Sequence, residues 1–208
     1  MKKMNEVSTF VFDVIESAKE NKVKIILDPN KVDFGEGEVS GLFDSDALEL
    51  TVCTNKPVEE WVSILVHESC HMDQHAEDAP AWINLDIKGH DSCTLLDMWL
   101  GNIIDLNNDQ LTNVINRVLE MELDCEKRSV EKIKRYKLPL DVKEYVQKAN
   151  AYMYFYRALM RTRKWTDKEK SPYSVEKVWK QMPIYLFDDQ SKYSVSDPLV
   201  DLIEQNCF

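Results

Sequence analysis

The chain is short of positive charge and of glycine, and it has no long apolar run. Its 26 lysines and arginines face 37 aspartates and glutamates, a formal net charge of −11. That balance argues against a primary role on nucleic acid, where basic side chains must neutralise phosphates. No segment approaches the ~20 apolar residues of a membrane span. The opening "MKKMNEVSTFVFDVIESAKENK" is interrupted by Glu6, Asp13 and Glu16, so no signal-peptide core is expected there. The five cysteines (Cys53, Cys70, Cys93, Cys125 and Cys207) are odd in number and form no C-x-x-C pair. They predict reduced thiols in a cytoplasmic protein, not a disulfide framework. Repeats and low-complexity linkers are lacking too. With 208 residues, 44% of them hydrophobic and 30% charged, the chain suits a soluble domain with a sizeable core.

What is present is periodicity. Val7, Phe10, Val11, Val14, Ile15 and Ala18 recur at helical spacing over residues 5–20. "VKIILD" (23–28), ended by Pro29, reads as a strand. Three of the five glycines fall at 35–41, and the runs "EVSGLF" and "ALELTV" flank Asp44-Ser45-Asp46 as a hairpin would. Pro57 then opens a helix at a first-turn position. Beyond that helix nearly everything is helical. "HDSCTLLDMWLGNIIDL" breaks near Gly101, a long helix runs up to Pro139, and another opens at Asp141 with Glu144 in a capping-box pattern. Short helices near 174–181 and after Asp197-Pro198 finish the chain. The expectation is an α+β fold, a small N-terminal sheet followed by helices, with a core over 1–138 and a helical extension over 139–208 packed on it.

The helix after Pro57 carries "LVHESCHM". At about 100° per residue, Trp61, Ile64, Leu65 and Met72 share a stripe, and His67, His71 and His75 line its border about 40° apart. Two imidazoles one turn apart can reach one metal, with Glu68 aimed at a bound water, as in an H-E-x-x-H helix. The plain alternative is a pair of surface histidines. The apolar surface of "WVSILVHESCHM" weighs against it, because a partly buried polar triad needs a reason. Position 77 is a glutamate and residues 72–77 contain no glycine, which excludes the extended metzincin pattern. His75 is on the wrong turn to converge on the same ion and is expected to line a cleft.

A third ligand is expected from "VLEMELDCEKRS". Glu120-x-x-x-Asp124 offers one carboxylate to complete a His₂Glu site and a second to hold the outer N–H of His67. Glu122, with Glu126 one turn on, is the rival, and a solvated Asp124–Arg128 pair is the bland reading. His90-x-x-Cys93 is a weaker candidate for a structural zinc. Cys70 faces away from the histidines and reads as a small buried residue.

With "HESCH" (67–71) and "EMELD" (120–124) the sequence resembles the gluzincin zinc peptidases, in particular the minimal ImmA/IrrE-type members. It also looks like short zincin-like proteins of tailed bacteriophages. The likeness covers roughly residues 5–130. It implies a zincin-like fold and Zn²⁺ on His67, His71 and Glu120, with Asp124 behind them. It also implies a hydrolase in which Glu68 is the general base toward a protein or peptide substrate in a bacterial or phage-infected cytoplasm. Such a reaction needs a donor for the oxyanion; His75, Arg128 and Tyr156, which shares a helix face with Tyr152 but not Tyr154, are candidates. The strand at 47–53 is expected to pair with substrate. The alternative function is a non-catalytic protein that keeps the scaffold to bind or regulate. Peptide deformylase, another H-E-x-x-H hydrolase, is excluded by the missing E-G-C-L segment.

Overall fold

The structure, a computed structural model, describes residues 2–33 and 39–208; the side chains at 2–5 and 168 are outside the description. Gly35, Gly37 and Glu38, part of the expected turn and strand, lie outside the described residues. The rest is α+β, with eight helices and a three-stranded sheet among the described residues. None of those helices is long and apolar enough to cross a membrane. The chain divides into two compact units, one of residues 1–79 and 125–142, the other of 80–124 and 143–208. The boundary expected at residue 138 therefore falls inside the first unit.

In the first unit, α1 (Lys2–Glu20) buries Val7, Phe10, Val14 and Ala18 at the predicted spacing. The sheet has the order β1-β3-β2, where β1 is Lys24–Asp28, β2 Gly41–Asp44 and β3 Glu49–Cys53. β3 pairs parallel to β1 and antiparallel to β2, with Phe43 opposite Leu50. The hairpin turn is fixed by Asp44, whose Oδ1 accepts the N–H groups of Asp46 and Ala47 at 2.9 Å each. β3 is the central strand, so the expected substrate-pairing role of 47–53 is wrong: both its edges are taken. Among the described residues, the outer edge beside the next helix belongs to β2.

That helix, α2 (Val58–Ala76), packs on β2 and β3. Its approach depends on Gly41. A Cβ there would stand 2.3 Å from Ile64 Cγ2 and 3.1 Å from Glu68 Cγ. The remaining part of this unit is the second half of α5 (Asn108–Tyr136), from Cys125 on. Lys132 fastens it to α2, donating to Ser69 Oγ at 2.8 Å and pairing with Asp73 at 2.7 Å.

The second unit holds α3 (Pro80–Ile83), α4 (Ser92–Leu100), the first half of α5, α6 (Val142–Thr162), α7 (Glu176–Trp179) and α8 (Pro198–Cys207). α4 stops at Gly101, as expected. Its core includes Trp99, Ile115, Leu119, Met153, Phe155, Leu159 and Ile203. Between α6 and α8 the chain is mostly irregular rather than helical, and polar side chains of α6 hold it. Gln147 donates to the carbonyls of Lys180 and Met182, and Asn150 to those of Pro183 and Tyr185. The buried Arg157 donates to the carbonyls of Tyr193 and Gln190 and to Asn116. Burial lowers its pKa to about 10.

Scarce glycine shows in how helices end. α1, α2, α4 and α5 all close with paired 6→1 and 5→2 backbone bonds, but the left-handed position is filled by Lys22, Asp78, Asn102 and Lys137. At α5, Leu138 N–H donates to Ile133 O at 3.0 Å and Lys137 N–H to Lys134 O at 3.3 Å. Lys137 is exposed and makes this turn at φ 53°. Lys137→Gly is expected to raise unfolding stability by about 0.5–1 kcal/mol. Gly41→Ala is expected to cost about 1–3 kcal/mol, with part of that loss cancelled in a double mutant with Ile64→Ala. Urea denaturation of the unaltered chain, Lys137→Gly, Gly41→Ala, Ile64→Ala and the double mutant checks both.

Candidate metal centre

α2 carries His67, Glu68, His71 and His75 on two successive turns and the one after. His71 is 8% exposed and His67 half-buried. The ring of His71 points its Nδ1 at Oε1 of the fully buried Gln74, 2.8 Å away. The ring of His67 points its Nδ1 at Oε1 of Glu126, 3.2 Å away. With the proton on Nδ1, each imidazole donates to that acceptor and presents a lone pair on Nε2. The two Nε2 atoms face one another at 3.1 Å, with the rings nearly perpendicular.

Two lone pairs at that distance repel unless a cation lies between them. Nitrogen ligands on one tetrahedral zinc stand about 3.3 Å apart, so the observed separation fits a shared metal. Glu126 supports the same conclusion. It is 5% exposed, and its Oε2 is buried without a hydrogen bond. A buried carboxylate in that state is costly unless positive charge is near, and a cation on the histidine pair supplies it.

His67, His71 and Cys125 together form a group whose ligand atoms lie within 4.8 Å of one another and which can hold a metal ion. Cys125 Sγ is 3.5 Å from Nδ1 of His67 and 3.4 Å from its carbonyl oxygen. It therefore flanks the outer side of the His67 ring, while the two Nε2 atoms converge on the inner side.

Glu68 turns toward β2, where its Oε2 accepts the N–H of Phe43 at 3.0 Å. Cys53 N–H bonds the carbonyl of Ser40, so the antiparallel alternation directs the backbone groups of Gly41 and Phe43 away from β3, to the outer edge. His75 is half-buried with its ring against Phe43, centroids 5.6 Å apart. Glu68 and His75 thus meet at one residue of the edge strand.

On α5 the two acidic pairs differ in burial. Glu126 sets its carboxylate against His67. Glu122 and Glu126 are buried, whereas Glu120 and Asp124 are half-buried. The cause is the helix's own stripe of Leu111, Ile115, Val118, Cys125, Ser129 and Ile133, which 122 and 126 continue at three- and four-residue steps. Arg128, a candidate donor to the oxyanion, forms a 2.7 Å ion pair with Glu77.

In the second unit, Tyr156 donates to Glu122 Oε1 at 3.3 Å and has the Tyr152 hydroxyl 3.2 Å away. Burial raises both phenols well above their ordinary value, so both remain protonated. Tyr154 points elsewhere, to Asp197. His90 is exposed in a turn, and burial holds the Cys93 thiol protonated.

Gln74, Glu126 and Cys125 escaped the reading of the sequence as site residues. The signal for Glu126 was the α5 stripe itself. Gln74 has none beyond its place three residues after His71.

No protein-family model, no curated protein and no solved structure matches the chain. The chemistry of the centre rests on its side chains.

Gln74→Leu and Glu126→Gln are each expected to weaken Zn²⁺ binding about 10–100-fold, measured by competition with a chromophoric chelator. Unaltered affinity in both would remove the tautomer argument.

Proposed function

We propose that this chain is a zinc-dependent peptidase with a zincin-like centre on α2. The observation that carries the reading is the pair of Nε2 lone pairs, fixed by Gln74 and Glu126, on the helix that presents Glu68. Bound there, zinc would polarise a carbonyl and bring the pKa of a water toward ~7. Glu68 is the group that takes the proton from the attacking water and returns it to the leaving nitrogen. The Phe43 N–H and the bare Cα of Gly41 hold its carboxylate at the β2 edge. An extended peptide adding to that edge would lie beside Glu68 and His75, which explains why a peptide bond is the substrate class favoured. For the third ligand the reading keeps the carboxylate expected from the sequence, Glu120, with Glu122 as its rival.

The Phe43 contact also supports a second reading, a zinc-holding scaffold that cleaves nothing, because it occupies the base. Two measurements separate them. Protein purified without chelator is expected to hold about one zinc per chain, retained in Glu68→Gln, lost in His71→Ala, and lost in one of Glu120→Ala and Glu122→Ala, which identifies the third ligand. Cleavage of a peptide library, followed by mass spectrometry of new termini, is expected to fall about 10²–10⁴-fold in Glu68→Gln. Failure to take up zinc would overturn both readings; zinc without cleavage in the unaltered chain would leave the scaffold.

A further inference from the structure

α2 and the second half of α5 pair in step. His67 meets Cys125, Cys70 meets Ser129, and Asp73 meets Lys132. Cys70 thus sits between Cys125 and Ser129, which are one turn apart on α5. Ser129 Oγ donates to the Cys70 sulfur at 3.4 Å. Both cysteines are completely buried and neither is in a disulfide. Each is also next to the metal centre, since Cys70 precedes His71 and Cys125 precedes Glu126 while touching His67.

We infer that Cys70 and Cys125 form a redox switch: a hydroperoxide joins them in a disulfide, and the histidine pair then loses its metal. The inference rests on the zinc reading above and adds its regulation. The sulfur of Cys70 attacks the outer peroxide oxygen and the O–O bond breaks. The departing oxygen takes the thiol proton and leaves as water or alcohol, and Cys70 becomes a sulfenic acid. The sulfur of Cys125 attacks that of Cys70, the S–O bond breaks, and the hydroxyl leaves with the Cys125 proton as water. Two electrons pass from the two sulfurs to the peroxide. Complete burial selects a small oxidant; a bulky disulfide such as oxidised glutathione has no approach.

A disulfide needs the sulfurs about 2.05 Å apart. Reaching that distance draws Cys125 away from the His67 carbonyl and Nδ1, and the adjoining Glu126 moves with it. His67 then loses the acceptor that fixes its tautomer, a change that weakens such sites about 10–100-fold.

The test uses the full chain loaded with Zn²⁺. It is treated with hydrogen peroxide, alkylated and digested, while a chromophoric chelator follows zinc. The expected result is a cross-linked peptide pair containing Cys70 and Cys125, with zinc affinity about tenfold or more lower and restored by dithiothreitol. Cys70→Ala is expected to keep its zinc under the same treatment, and Cys207→Ala to behave like the unaltered chain. Absence of the 70–125 cross-link overturns the inference. So does a cross-linked chain with unchanged zinc affinity, or equal zinc loss from Cys70→Ala. If the reduced chain binds no zinc, the metal reading fails by itself, and the peptide map still decides the pairing.

Discussion

Two nitrogen lone pairs held 3.1 Å apart are the constraint on which the first unit is built. Neutral imidazoles do not choose that arrangement; left alone, one ring would turn its N–H toward the other. They are denied the choice when each Nδ1 proton goes elsewhere, that of His71 to Gln74 and that of His67 to Glu126. One acceptor is local, three residues along the same helix. The other arrives on α5, and the Lys132 contacts to Ser69 and Asp73 fix the place where it arrives. A buried carboxylate with an unbonded oxygen is tolerable beside a cation and expensive beside two neutral rings. Positive charge on the histidine pair makes the polar cluster coherent in charge.

The backbone that supports this arrangement pays for its shortage of glycine. α2 closes with Asp78 in the left-handed conformation, and Ala79 N–H donates back to the carbonyl of Gln74 at 2.9 Å. The residue that orients His71 is thus also the residue on which the helix end is tied. At the other face of α2, glycine is used where no substitute exists: Gly41 lets β2 come so close that Glu68 reaches a backbone amide. One position needs the missing Cβ, while the helix ends accept a strained non-glycine residue.

Much of the fold is legible in the sequence. The apolar spacing of α1, the hairpin around Asp44, the helix after Pro57 and the stop at Gly101 all follow from local rules, because each is decided within a few residues. The His67–Glu68–His71 spacing is legible for the same reason. The carboxylate partner is not decided by spacing alone: Glu120/Asp124 and Glu122/Glu126 both have a one-turn separation, and the buried stripe through Val118, Cys125 and Ser129 distinguishes them by burial. Strand order is harder still. β3 is the more regular strand in sequence, alternating Leu50 and Val52 with polar neighbours, yet that regularity marks a strand paired on both sides. The irregular segment between α6 and α8 is held by amide and guanidinium side chains on α6, contacts whose partners lie more than thirty residues away and leave no local pattern.

The edge of β2 joins these elements. Its outward groups belong to Gly41 and Phe43, and one of them, the Phe43 N–H, is bonded to Glu68. A single N–H cannot serve two acceptors at full strength. A strand adding at this edge offers a carbonyl to the same amide, so backbone pairing and the hold on Glu68 compete. The short strand, the glycine and the glutamate therefore act as one unit: whatever occupies the edge also determines how freely the carboxylate beside the histidines can move.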